Sequence, residues 1–204
     1  MSAQPKQFLS PEEYLAIERE GEERHEYFDG EMFLMRGGTE EHALIGANAL
    51  GELHGQMKRT NCRVYSNDFR VFIPRTGLYT YPDALVVCGE TMLVDDGKRD
   101  TLLNPTLIVE VLSSSTESYD RGNKFAHYRT IDSLAEYVLV SQTQPRIESF
   151  TKLADGRWIY NIADSLDATI ELASINGRLA LTDVFANVDF ERARSKAERS
   201  RPLI

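Results

Sequence analysis

The stretch TLIVEVL, residues 106–112, places one carboxylate, that of Glu110, inside an otherwise apolar run. Pro105 precedes this run, and a Ser/Thr-rich segment, residues 113–116, follows it. A short apolar run between such residues is typical of a strand buried on both faces of a sheet. An ionised carboxylate there is strongly destabilising unless it is paired, hydrogen-bonded or bound to a cation. The sequence therefore predicts partners for Glu110.

Two other charged residues lie where they could reach Glu110. Asp83 opens a second apolar strand, residues 81–88, and Lys124 lies on a predicted helix of about residues 118–130. Because neighbouring strands stand about 4.8 Å apart, two such acids can share one cation. Carboxylate and carbonyl oxygens, completed by water, are the ligands that Mg²⁺ or Mn²⁺ prefers.

This combination indicates phosphodiester hydrolysis. A metal-bound water has a lowered pKa and can attack phosphorus. A nearby ammonium group, here that of Lys124, can orient this water or stabilise the charge that develops. Asp120, Lys124 and Tyr128 are spaced i, i+4, i+8, so one face of the predicted helix presents all three.

The rest of the chain alternates helical and strand patterns. Ser10, Pro11 and Glu13 form a capping box that begins a helix ending at Gly21, and Asp29-Gly30 marks a hairpin. The other predicted elements are a helix from Thr39 to about Met57, two strands within 62–73, a strand at 136–140, short strands from 146 to 180 and a short helix near 182–185.

Length and composition limit the class of protein. A chain of 204 residues fits one domain, with a core of about residues 8–190 and a charged tail of about 191–204. Cys62 and Cys88 fit no zinc spacing, so we expect buried free thiols in a reducing cytoplasm. The chain shows neither a membrane-spanning run nor a signal peptide, and we expect a soluble cytoplasmic protein.

The net charge of −9 argues against a nucleic-acid partner, but the charge is unevenly distributed. Residues 1–41 account for −7 of it, whereas residues 58–75 carry a local charge of +4. A local basic strip can still bind phosphates, because salt screens distant charges. The alternative is an ordinary solvated surface. The candidate strip comprises Lys58, Arg59, Arg63, Arg70 and Arg75.

The ordered set of motifs resembles the Uma-two family of restriction-endonuclease-like proteins, within the PD-(D/E)XK nuclease superfamily. The matching segments are residues 25–31, His42 in the second helix, residues 81–83, 105–113 and 120–128, and Glu136-Tyr137. The usual motif lysine, two positions after Glu110, is replaced by Leu112. In this resemblance Lys124, on the adjacent helix, would take its role.

The resemblance implies an α/β (α+β) restriction-endonuclease-like fold: a central mixed sheet, centred on parallel strands and flanked by helices, with extra antiparallel strands. It further implies a Mg²⁺- or Mn²⁺-dependent endonuclease acting on nucleic acid, DNA being favoured, with no membrane partner and as a homodimer. The implied metal ligands are Asp83, Glu110 and the Val111 carbonyl, the implied catalytic residues also include Lys124 and Glu26, and the accessory candidates are His42, Asp120 and Tyr128.

Three alternatives remain open at this point. Glu110 could form a purely structural ion pair. The scaffold could instead be a non-catalytic module that binds nucleic acid or protein, which Leu112 and the acidic net charge would suit. A structural or assembly role is the third alternative, in which the hairpin at residues 26–35 and the late strands form a dimer face.

Overall fold

The computed structural model describes residues 8–35 and 37–199, with side chains through residue 195. Its helical segments are α1 (Pro11–Glu20), α2 (Glu40–Met57), α3 (Glu117–Tyr119), a π-helical turn (Asp120–Lys124), α4 (Phe125–Tyr128), a 3-10 turn (Ala173–Ile175), α5 (Leu181–Val184) and α6 (Phe190–Arg199). Its strands are β1 (His25–Phe28), β2 (Glu31–Leu34), β3 (Cys62–Ser66), β4 (Arg70–Ile73), β5 (Leu78–Thr80), β6 (Ala84–Cys88), β7 (Thr101–Leu102), β8 (Leu107–Leu112), β9 (Glu136–Ser141), β10 (Ile147–Lys152), β11 (Trp158–Ala163), β12 (Thr169–Leu172) and β13 (Gly177–Ala180).

Two sheets and one hairpin organise these strands. The central sheet has the order β11-β10-β9-β8-β6-β3, the second sheet β2-β1-β5-β4-β7, and β12 pairs with β13. In the central sheet only β8 and β9 run parallel, while the other pairs are antiparallel. A mixed central sheet flanked by helices, with extra antiparallel strands, is the architecture that the sequence predicts. The parallel part is limited to one central pair.

Strand β8 lies at the centre of the protein. Every residue of β8 is buried, which explains why the run lacks the alternation of a half-exposed strand. Val109 and Val111 pack in the cluster that contains the apolar face of α2. Ile108 and Leu112 pack on the other face, against β4, β5 and α4. Glu110 has the same parity as Ile108, so its side chain enters the layer between the two sheets.

Local sequence signals predict the first elements correctly. Ser10 and Glu13 form the capping box that begins α1, and the helix ends at Gly21. At the β1–β2 turn, Asp29 (φ 50°) and Gly30 (φ 81°) both adopt the left-handed region that a tight hairpin turn requires. The helix predicted after Thr39 is also confirmed as α2.

Residues 62–73 form two strands, as predicted, and these strands belong to different sheets: β3 pairs with β6 in the central sheet and β4 with β5 in the second. One predicted element is interrupted in the structure. The helix predicted at 118–130 is divided by the π-helical turn. Gly122 lies in this turn and weakens regular helix.

The expectation of free thiols is wrong. Cys62 and Cys88 are cross-strand partners in the β3–β6 ladder, and the structure joins them in a disulfide. Spacing along the chain carries no information on this pairing, because the register between the two strands creates it.

The ends of the chain add two observations. The predicted charged tail is helical over α6, while residues 200–204 lie outside the described residues. Among the helices of the described ranges, none has the length and apolar character needed to cross a bilayer.

We predict that Ser10→Ala destabilises the protein by about 0.5–2 kcal/mol, because the Glu13 N–H loses its capping acceptor at the start of α1. Urea denaturation followed by circular dichroism measures the difference. Ser10→Thr, which keeps a hydroxyl acceptor, is the matched control. Equal stability of Ser10→Ala and the wild type would contradict the capping contribution.

Candidate active site

The acids Asp83 and Glu110 come together through strand register. The antiparallel β6–β8 ladder ends with Ala84 opposite Val109, so the next residues, Asp83 and Glu110, lie side by side at its end. Oδ2 of Asp83 accepts a hydrogen bond from the Val111 N–H at 2.7 Å. The carboxylate of Asp83 is thereby held against the backbone of β8.

Lys124 lies among three carboxylates. Its Nζ is 2.9 Å from Oε1 of Glu110, 3.0 Å from Oε1 of Glu26 and 3.6 Å from Oδ1 of Asp120. Glu110, Asp120 and Lys124 are all buried. The Tyr128 hydroxyl donates a further hydrogen bond to Oε1 of Glu110 at 2.7 Å. Glu110 therefore has the partners that its place in β8 requires.

The π-helical turn presents these groups to Glu110. Turns of this kind are frequent at functional sites, where they change which side chains share a helix face. On its outer side Arg121 forms two hydrogen bonds with the buried carboxylate of Glu148, at 2.7 and 2.9 Å. Tyr137 of β9 donates to the Asp120 carbonyl at 3.1 Å. The turn is thus anchored on both sides.

The second sheet contributes Glu26 from β1. Thr80, the last residue of β5, donates a hydrogen bond to Oε1 of Glu26 at 2.5 Å. The site therefore lies in the layer between the two sheets, with Glu110 and Glu26 facing it from opposite sides and Lys124 between them.

Burial dominates the electrostatics. It raises the pKa of Glu110 to about 8, with the Lys124 ammonium opposing this rise. Burial also acts to lower the pKa of Lys124, but the nearby acids outweigh it and the pKa lies well above its ordinary value. The pKa of Asp120 is raised, mainly by burial. Burial thus opposes the ionised forms of these acids, and an additional cation bound beside them would favour ionisation.

His42 lies at the open end of the site. Its Nε2 is 3.5 Å from Oδ2 of Asp83, and Thr39 caps the helix turn that carries it. Gly38 passes so close to the imidazole that an added Cβ would lie 2.6 Å from Nδ1 of His42. Close approach of this glycine therefore helps to fix the ring beside Asp83.

The model of the Uma2 family, described as "Putative restriction endonuclease", matches residues 11–182. This chain belongs to the Uma-two family.

Similar proteins support this assignment. Two relatives come from Synechocystis: "Uncharacterized protein slr1290" is 37% identical over 185 residues, covering 89% of this chain and 94% of the relative. "Uncharacterized protein sll1609" is 32% identical over 165 residues, covering 81% and 93%. A crystal structure of "a putative nuclease belonging to DUF820" from Anabaena variabilis superposes with a TM-score of 0.70 and 17% identity, over 86% of this chain and 96% of that one. This likeness shows a shared fold.

The proposed basic strip of this Uma-two protein does not line the site. Arg70 is only 3% exposed. It donates to Tyr81 at 2.9 Å and pairs with Asp100 at 3.0 Å, so it is unavailable to phosphate. Lys58 and Arg59 are exposed, but they follow the far end of α2, about 24 Å along the helix from His42.

The other members of the strip are also surface residues away from the carboxylates. Arg63 is exposed and donates to the Gly89 carbonyl, and Arg75 lies exposed in the turn between β4 and β5. The five cations therefore do not form one surface, because their elements belong to different sheets and faces.

The residues present fit a hard divalent cation. No cluster of three or more His, Cys, Asp or Glu side chains within the described ranges is arranged to hold a metal ion unaided. Mg²⁺, however, commonly binds through one or two carboxylates with several waters. Among the described residues, Oδ1 of Asp83 and Oε2 of Glu110 accept no hydrogen bond, so each acid keeps one oxygen for a ligand.

Sequence reasoning overlooked two residues. Thr80 carries a hydroxyl in a short apolar strand just before Pro82-Asp83. A polar residue at this place in the sequence could have indicated a contact with the site. Tyr119 is half-buried beside Asp120, and burial together with the Glu26 carboxylate raises the pKa of its hydroxyl to about 12. No local pattern singles out Tyr119, because its position depends on the π-helical turn.

We predict that Lys124→Met destabilises the metal-free protein by about 3–5 kcal/mol, because it leaves the buried Glu110 and Asp120 and the half-buried Glu26 without their cation. Urea denaturation in EDTA measures the loss. The double variant Lys124→Met/Glu110→Gln should recover part of it, because one uncompensated charge is removed.

Lys98→Met is the matched control, since Lys98 is exposed and distant from the carboxylates, and we expect a change within about 0.5 kcal/mol. A Lys124→Met variant as stable as Lys98→Met would contradict the assigned ion pairs.

Proposed function

We propose that this Uma-two protein is a Mg²⁺- or Mn²⁺-dependent endonuclease that hydrolyses phosphodiester bonds of nucleic acid, with DNA as the favoured substrate. One observation carries the proposal: Glu110, buried in the central sheet, lies beside Asp83 in register and within 2.9 Å of Lys124. The family description and the fold of the structural neighbour agree with this class of reaction.

In this proposal Asp83 and Glu110 would hold the metal ion, with the Val111 carbonyl as a third ligand and water in the remaining positions. When bound, the ion would supply Lewis acidity and a water of lowered pKa. Glu110 can act as a metal ligand because its position in β8 and the hydrogen bond from the Tyr128 hydroxyl fix its carboxylate. Asp83 is fixed in the same way by the Val111 N–H.

Lys124 would act on the phosphate itself. Its ammonium keeps its charge, and in the absence of substrate Glu26, Glu110 and Asp120 hold it in place. Such a preorganised cation stabilises the charge that develops on phosphorus without reorganising at the moment of reaction. Glu26, held by Thr80, would orient the attacking water or add a ligand. His42 and Asp120 would position Asp83 and Lys124 respectively.

The proposal extends to assembly. We propose that two copies associate, which would allow cleavage of both strands of a duplex. Size-exclusion chromatography with light scattering measures the assembly directly. A monomer at all concentrations would remove the dimer from the proposal without affecting the chemistry of one site.

We predict that the purified protein nicks supercoiled plasmid with Mg²⁺ or Mn²⁺ and that EDTA abolishes the reaction. Glu110→Gln, which keeps the size of the side chain, should reduce nicking to background because the charged ligand is lost. Lys124→Ala should reduce the rate by about 100- to 1000-fold, as for removal of one electrostatic stabiliser.

Glu171→Ala and Lys98→Ala are the controls, since both residues are exposed and outside the site, and both variants should nick as the wild type does. If the wild type and Glu110→Gln give the same nicking in every metal, the endonuclease proposal fails.

We predict that Mn²⁺ binding, measured by isothermal titration calorimetry, is lost in Asp83→Asn. The asparagine oxygen can still accept the Val111 N–H, so the fold should persist while the ligand charge is removed. The rival non-catalytic module would instead bind DNA without metal and depend on Arg63. Unchanged Mn²⁺ binding in Asp83→Asn would contradict the assigned ligand set.

A further inference from the structure

An exposed aromatic ring lies beside the acidic groups of the site. In the β1–β2 ladder Phe33 is directly opposite Glu26. Directly opposed residues of an antiparallel pair place their side chains on the same face, with Cβ atoms about 4.5–5.5 Å apart. The ring of Phe33 therefore stands next to the carboxylate that contacts Lys124, on the face of the hairpin that turns toward the site.

The ring of Phe33 is only partly covered by the rest of the protein. Phe33 is 49% exposed and belongs to β2, the edge strand of its sheet. The neighbouring aromatic residues of this hairpin do pack, since Tyr27 stacks on Tyr14 and Phe28 contacts the ring of His127. Within the described residues Phe33 takes part in none of the aromatic ring contacts. Half of its surface remains available to a ligand.

The ligand bound at the carboxylates determines which groups the Phe33 ring can contact. If a phosphodiester occupies the site, the neighbouring parts of the substrate are its sugars and bases. A phenyl ring stacks on a base only when that base is unpaired and unstacked, because a duplex hides its base faces. Stacking of this kind does not depend on base identity, which suits a site without evident readout groups.

The acidic groups of the site favour the same substrate. Glu26, Glu110 and Asp120 surround the single ammonium of Lys124. A duplex brings two phosphate strands, with one negative charge per about 1.7 Å of its axis, toward these acids. A single strand carries half that density and meets less repulsion.

We propose that Phe33 stacks on an unpaired nucleobase next to the scissile phosphate, so that the site selects single-stranded or locally unpaired nucleic acid over intact duplex. This inference rests on the proposed function for the position of the phosphate. The predicted preference for single-stranded nucleic acid can be measured as binding, without any catalysis. Supercoiled plasmid remains a suitable substrate for nicking, because negative supercoiling favours local unpairing.

The test is fluorescence anisotropy with a labelled mixed-sequence DNA oligonucleotide, alone and annealed to its complement, in metal-free buffer. The wild type should bind the single strand at least about tenfold more tightly than the duplex. Phe33→Ala should weaken single-strand binding by about 5- to 150-fold and leave duplex binding within twofold. Phe33→Trp, which keeps an aromatic face, should retain single-strand binding.

Leu34→Ala is the matched control, because Leu34 is the next residue, is 48% exposed and points to the opposite face of β2. It should change single-strand binding by less than twofold. Both alanine variants should melt within about 2 °C of the wild type, since each removes an exposed side chain.

Cleavage assays with Mn²⁺ on the same two probes separate this inference from the proposed function. If Phe33→Ala loses single-strand binding and Leu34→Ala does not, stacking is supported. If in addition no variant cleaves either probe, only the proposed hydrolysis is contradicted. Equal wild-type affinity for both probes, no binding of either, or equal losses in Phe33→Ala and Leu34→Ala would overturn the inference, while plasmid nicking would stand.

Discussion

The buried contact between Glu110 and Lys124 is the constraint on which the rest of this structure depends. A carboxylate in the middle of a fully buried strand is stable only where cationic and hydrogen-bonding groups reach it. Lys124 comes from the π-helical turn, and Tyr128, one turn further on, supplies a hydroxyl. The helical segment after β8 must therefore pack on the face of the central sheet that carries the Glu110 side chain, where it forms one wall of the site.

The same contact ties the second sheet to the first. Lys124 also pairs with Glu26, which Thr80 holds from the adjacent strand β5. Three carboxyl groups surround one ammonium in a space of low polarity, and burial raises the pKa of Glu110 to about 8. Perturbed pKa values of this kind cluster at functional sites. This is the physical reason for proposing a cation and phosphate site here.

A second buried network of charged and hydroxyl groups surrounds Arg70, and it has a structural role. Arg70 bonds to Tyr81 and Asp100, and the Tyr81 hydroxyl donates to Glu18 of α1 at 2.9 Å. Here each charge has its counterpart, and the network joins α1 to the second sheet. Because Tyr81 precedes Pro82-Asp83, this network also fixes the chain segment that delivers Asp83. Arg70 therefore stabilises the segment that carries Asp83.

The amino-acid sequence by itself determined the local elements of this Uma-two protein. The capping box of α1, the Asp29-Gly30 turn and the continuous apolar run of β8 each depend on residues close together in the chain, so their patterns were sufficient. Glu110 within β8 also predicted a functional site, because an unpaired carboxylate is strongly destabilising in an apolar strand.

The tertiary structure alone decided which groups meet. Sheet register pairs Cys62 with Cys88 and places Phe33 beside Glu26, while the π-helical turn brings Lys124 to Glu110. Burial converts Arg70 from a candidate phosphate ligand into a structural ion pair. These outcomes depend on contacts between segments far apart in the chain, and a one-residue change of register would turn each strand side chain to the opposite face.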